Sequence, residues 1–192
     1  MLQPPAMLAL YIFIVPGLCD LVHDCQVLAT WDPSIDADKC CEDDRVGCDG
    51  ERIVSLGSDQ FPCVAEAGDI GILGNFSDAT KGALSRVELC SSGIFGDISV
   101  LGQFPSLDRV ELRSSGIFGD ISVLGQFPSL DRLRLSSTKV SGDIAGIANA
   151  QIGFSGDLAG LSNASFGRLD LSSTQVCGDI AGLANAQIGT WI

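Results

Sequence analysis

The side chains with chemistry to offer fall into three sets. Arginines stand at fixed places, Arg86, Arg109, Arg132 and Arg168, each followed two positions later by Glu88, Glu111, Arg134 or Asp170, with Arg113 two places beyond Glu111. Four of the eight cysteines, Cys25, Cys40, Cys41 and Cys48, crowd into one acidic stretch, and His23 is the single histidine. A column of guanidinium groups is suited to recognising carboxylates, because each presents a planar fork of donors. The plainer reading is that the neighbouring acids neutralise the arginines in a surface network of little energetic consequence. Catalysis is harder to assemble. His23 has no partner motif, there is no Gly-x-Ser-x-Gly or phosphate-binding loop, and the acids recur as members of a series rather than as a distinctive pair. No catalytic residue, cofactor or metal is expected.

The spacing of the arginines comes from a repeat. Residues 91–106 and 114–129 share the same sixteen letters, SSGIFGDISVLGQFPS, and the repeat starts Leu84, Leu107 and Leu130 lie 23 residues apart, with a further start at Phe166. Each start is followed by apolar residues three and five positions on: Val87 and Leu89, Val110 and Leu112, Leu133 and Leu135, Leu169 and Leu171. Such alternation makes a short strand with one face inward, which leaves the arginines and acids on the outer face. The second half of each unit carries an apolar residue before Gly-Asp-Ile, as in Ile94 with Gly96-Asp97-Ile98. Units this small cannot bury their own apolar side chains and must stack.

This LxxLxL…LxGxI pattern resembles the leucine-rich repeat, and its GxI half resembles the plant-type extracellular subclass, as found in receptor ectodomains and polygalacturonase-inhibitor-like proteins. The resemblance implies an α/β-type solenoid: a right-handed superhelix with a parallel concave β-sheet, an irregular convex side and a disulfide N-terminal cap. It further implies a secreted or cell-surface binding module whose concave face, Arg86, Glu88, Arg109, Glu111, Arg113, Arg132, Arg134, Arg168 and Asp170, meets a protein, a peptide or an acidic polysaccharide. Ser92, Ser115, Thr138 and Thr174 depart from the family by standing where an asparagine ladder is usual.

Four cysteines in a short secreted stretch read as disulfides rather than zinc ligands, which would favour a CxxC spacing; three connectivities are open. The order Cys25, Trp31, Cys40-Cys41, Cys48, then the strand Arg52–Leu56, resembles the cap of plant-type repeats. By that resemblance Cys25 pairs with Cys40, and Cys41 with Cys48. Trp31 is expected to cover the end of the stacked core. Cys63 is placed to pair with Cys90, and Cys177 has no evident partner.

The expected organisation is a signal peptide at 1–19, a cap at 20–56 and repeats at 57–192. The run Ala6–Leu18 has the length of a secretory core and is too short to span a bilayer, and no later run is longer. One interval breaks the pattern: Gly156 follows Gly142 by only 14 positions, so an interrupted strand ladder and an irregular region at 148–166 are expected. No C-terminal cap is evident, which raises the alternative of a structural wall or matrix protein that self-associates through that edge. Net charge of −13 argues against nucleic acid and anionic membranes as partners. Asn75-Phe76-Ser77 and Asn163-Ala164-Ser165 are glycosylation sequons.

Overall fold

The computed structural model describes residues 18–57, 64, 67–89, 93–113 and 116–143, together with strand segments at 165–166, 168–170, 175–177 and 187–188. In chain order these form α1 (Leu18–Trp31), β1 (Val46–Cys48), β2 (Ile53–Leu56), β3 (Ala67–Asp69), α2 (Asp78–Ala83), β4 (Arg86–Leu89), β5 (Gly93–Asp97), β6 (Arg109–Leu112), β7 (Gly116–Asp120), β8 (Arg132–Arg134), β9 (Lys139–Asp143), β10 (Ser165–Phe166), β11 (Arg168–Asp170), β12 (Gln175–Cys177) and β13 (Gln187–Ile188).

Each coil contributes one strand to the concave sheet, ordered β1-β2-β4-β6-β8-β11. Every pairing from β2 onward is parallel, while β1 folds back antiparallel on β2 and closes the N-terminal edge. The predicted inward residues do turn inward: Leu84, Val87, Leu89, Leu107, Val110, Leu112, Leu130, Leu133 and Leu135 are all buried. The ladder is not interrupted where the short interval falls. Arg132 pairs directly with Arg168, so β11 takes the place beside β8 although residues 135–167 separate them along the chain. The expectation of a broken ladder is corrected accordingly, because strand neighbours are chosen by hydrogen bonding and not by sequence spacing. Residues 148–164 of the expected irregular region lie outside the described residues, and Ser165–Phe166 form β10.

A second parallel sheet, β12-β9-β7-β5-β3, is built from the Gly-Asp-Ile halves. The convex side follows as short 3-10 helices at Ile70–Asn75, Ile98–Gln103 and Ile121–Gln126. Asp69, Asp97 and Asp120 cap them, each carboxylate accepting from the backbone N–H two residues on. Behind the helices lie Phe76, Phe104 and Phe127, all buried; the rings of Phe76 and Phe104 meet edge to face at 6.4 Å.

The structure explains why glycine precedes each of these aspartates. Gly119 sits at φ +115°, and a Cβ built on it would stand 2.6 Å from Asp97 Oδ1 of the preceding coil. The carboxylate that caps one coil thus rests on the bare backbone of the next. Gly119→Ala is expected to cost about 2 kcal/mol or more, from the left-handed backbone and the displaced cap together. A chemical-denaturation midpoint within error of the parent would show that the carboxylate can move aside at no cost.

In the cap, the apolar positions Leu21, Cys25, Leu28 and Trp31 fall on one face of α1, and Pro33 stops the helix. Both expected disulfides form, Cys25–Cys40 and Cys41–Cys48. Arg45 grips Asp43 through Nε at 2.9 Å and Nη2 at 2.6 Å, and Asp32 through Nη1 at 2.8 Å. The Arg45 hydrogen bond holds the Asp43 carboxyl below its ordinary range. Buried Asp24 ties α1 to the first coil, accepting from the Ser77 N–H and hydroxyl, both at 2.7 Å.

Candidate functional site

The concave face takes its geometry from the register of the first sheet. Arg86, Arg109, Arg132 and Arg168 are consecutive partners across β4, β6, β8 and β11, and Glu88, Glu111, Arg134 and Asp170 form the next column. Parallel strands lie ~4.8 Å apart, so a bare column of guanidinium groups would repel itself. The repulsion is relieved from below. Glu88 and Glu111 are only 3% and 4% exposed, sunk beneath the arginines rather than standing among them.

Each glutamate gathers arginines from its own strand and the next. Glu88 pairs with Arg109 Nη1 at 3.1 Å and with Arg86 Nε at 3.7 Å. Glu111 accepts from Arg134 Nη1 at 2.8 Å and Arg132 Nη1 at 3.4 Å, and lies 3.6 Å from Arg113 Nη2. Arg134 can approach so closely because it is the direct register partner of Glu111, in the column position where the earlier coils carry glutamate. Arg134, where the earlier coils carry glutamate, and Arg113, where the coil before carries Cys90, together give Glu111 three arginines against the two of Glu88.

Among the described residues of these columns stand six arginines and three carboxylates, and five of the arginines pair with Glu88 and Glu111. The buried Nε groups of Arg113 and Arg134 have no hydrogen-bond partner among the described residues. Asp108 lies at the start of β6 beside Arg86 and Arg109. Partial desolvation pushes the carboxyl of this surface residue above its ordinary value, against the pull of those two arginines. The face is therefore a cationic strip on a chain whose net charge is −13. Arg168 and Asp170 continue both columns in backbone register.

The other expected residues are placed as follows. Thr138 is buried, and its hydroxyl donates to the Leu135 carbonyl at 2.8 Å and accepts from the Val140 N–H at 3.4 Å, the local role an asparagine would have. Trp31 is buried in the cap core against Gly68, where a Cβ would strike its indole ring. Asn75 is exposed at the end of the first 3-10 helix, and its carbonyl accepts from His23 Nε2 at 3.0 Å. Cys25, Cys40 and Cys41 have sulfurs within 4.8 Å of one another, but all three are consumed by disulfides, which leaves that cluster no thiolate for a metal. Asn163, Cys63, Cys90 and residues 1–17 of the expected signal segment lie outside the described residues, and α1 begins at Leu18, inside that expected segment. Among the described residues no helix is long and apolar enough to cross a membrane.

The same architecture occurs in solved structures. The BIR3–SERK2 complex from Arabidopsis thaliana matches with a TM-score of 0.53 at 22% identity, over 90% of this chain and 89% of that one. The BIR2 ectodomain from Arabidopsis thaliana matches at 0.51 and 19%, over 90% and 94%. PEPR1–AtPEP1 matches at 0.57 and 20%, over 85% of this chain but a quarter of that one. The fold is a leucine-rich repeat. Its disulfide cap, parallel concave sheet and second ladder are those of a solenoid shared with plant receptor ectodomains. No protein-family model and no curated protein sequence matches the chain.

Sequence reasoning found the arginine column and its acids but missed that the acids are buried. The signal was present in the pattern: Glu88 stands between Val87 and Leu89 and Glu111 between Val110 and Leu112, in the middle of a strand whose neighbours on both sides are buried. Long arginines from the same and the following coil cover them.

Proposed function

We propose that this chain is a secreted or cell-surface leucine-rich repeat module that binds, without catalysis, an acidic segment of a protein or peptide in its concave face. The observation that carries the reading is the excess of arginine over carboxylate in that face, on a molecule otherwise strongly acidic. Glu88 and Glu111 are spent holding the guanidinium groups upright, so the remaining donor capacity faces the concavity. Preorganised forks of this kind lose little entropy on meeting a carboxylate. BIR3 with SERK2 and PEPR1 with AtPEP1 supply the precedent that a solenoid of this shape takes a partner. An acidic polysaccharide would engage the same groups. A peptide fits better, since its carboxylates can be spaced to meet separate strands.

The test is the double variant R109A/R132A, with a hexaglutamate peptide and an oligogalacturonate as probes. Two charge-assisted pairs at ~1.5–3 kcal/mol each predict a loss of affinity for the peptide of at least ~100-fold. R109K/R132K, which keeps the charge but not the fork, is expected to fall between. Unchanged affinity in R109A/R132A overturns the reading, and a loss confined to the oligogalacturonate reassigns the partner class.

A further inference from the structure

The second sheet carries an exposed feature that stacking does not require. Phe95 in β5 and Phe118 in β7 are 50% and 47% exposed, on the outer face that Ile94 and Ile117 turn away from. The equivalent position, immediately before the turn glycine, is Ala67 in β3, Ser141 in β9 and Cys177 in β12. The backbone thus accepts a small residue there, and two large apolar rings exposed to water at this position do nothing for the core.

The rings are set one strand apart and offset by two residues along it, because Phe95 pairs with Gly116 and Phe118 with Asp97. A Cβ on Gly116 would stand 3.0 Å from the Cβ of Phe95, so the glycine is what lets the first ring lie alongside β7. Between the rings and the convex turn is a cavity of about 500 Å³, lined by Phe95, Phe118, Asp69, Asp97, Ser99 and Gln103 among others. It contains two carboxylates and no basic side chain. Each of these aspartates uses one oxygen on its own turn, accepting from Gly71 or Ser99, and the second oxygen accepts no hydrogen bond among the described residues. Asp120 extends the acidic row past Phe118, while Lys139, the register partner of Phe118, closes the far side.

We propose that this groove docks a basic segment of a partner protein, with one arginine or lysine side chain lying between the two phenyl rings and its charge ending on Asp69 and Asp97. Phenyl faces attract cations, and carboxylates beside them supply the counter-charge that an apolar ligand would leave without a partner. The acidity of the whole chain adds attraction at longer range. This surface is distinct from the arginine-lined concavity and opposite to it in charge.

The test uses the full chain and an N-acetylated, amidated tri-arginine peptide, with triglutamate and a neutral hexose oligosaccharide as controls. F95S/F118S is expected to weaken tri-arginine binding by about 10-fold or more at an unchanged melting temperature, since Ser141 already occupies the equivalent position. F95Y/F118Y should retain binding because it retains both ring faces, and D97N should lose several-fold while keeping the turn acceptor. Equal affinity of F95S/F118S and parent overturns the proposal, as does preferential binding of the oligosaccharide. It is also overturned if the Ser variant abolishes association between copies of the chain while no tri-arginine binding is seen.

Discussion

Glu111→Ala is expected to destabilise the protein by about 3 kcal/mol, far more than the loss of an exposed ion pair, which is worth roughly 0–1 kcal/mol. The difference lies in burial. The Glu111 side chain is 5% exposed, and the nearest of its three arginines, Arg134, only 13%. Removing the carboxylate leaves guanidinium groups from two strands crowded together with their shared acceptor gone. Two of them, Arg132 and Arg134, belong to the next coil, so the loss falls on the interface between repeats, which is where a solenoid keeps its cooperativity. Urea denaturation should show a lower midpoint and, if the coils uncouple, a shallower slope. Glu88→Ala removes a two-arginine clasp with contacts of 3.1 and 3.7 Å and should cost less. Replacing Glu111 and Arg134 together by leucine should recover much of the loss, because the desolvation of both charges is then avoided. A cost for Glu111→Ala below about 0.5 kcal/mol would mean that water already screens the cluster.

The second large effect is expected at the cap. Opening Cys25–Cys40 with the C25S/C40S pair should cost about 3 kcal/mol, the chain-entropy value for a crosslink across some 15 residues. Cys41–Cys48 spans a separation of only 7 and should contribute less. The two bridges also differ in access: Cys41 is exposed, whereas Cys25 and Cys40 are buried. Mild reductant should therefore open Cys41–Cys48 first, and Cys25–Cys40 only when the cap lifts. Lifting the cap also strips Trp31 from Gly68 and Asp24 from Ser77. Hydrogen exchange should then rise in β2 and β3 before it rises in β6 and β8. Simultaneous loss of protection along the whole sheet would show instead that cap and repeats unfold as one unit.

Much of the scaffold could be read without coordinates. Leu84, Val87 and Leu89, with their successors at 23-residue intervals, announce a strand because alternation is a property of neighbouring residues on one chain, and their burial follows. The same holds for the recurrence of Arg86, Arg109 and Arg132 on a common face, and for the aspartates as turn caps, since a carboxylate two residues before an N–H reaches it locally. The cysteine pairing was legible only through the resemblance to plant-type caps.

What depended on the folded molecule is whatever one coil does to the next. Glu88 and Glu111 look like solvated partners on their own strands, and they become buried anchors once arginines from the following coil join those of their own and close over them. Gly119 reads as a turn glycine, yet its lack of a side chain is also demanded by Asp97 arriving from the coil before. The ladder passes from β8 to β11 across a defective interval because hydrogen-bonding edges find each other in space. Repetition along the chain is enough to specify the shape of a unit, whereas the contacts between stacked units join atoms that no local pattern relates, so their burial, charge pairing and exposed rings appear only once the coils are stacked.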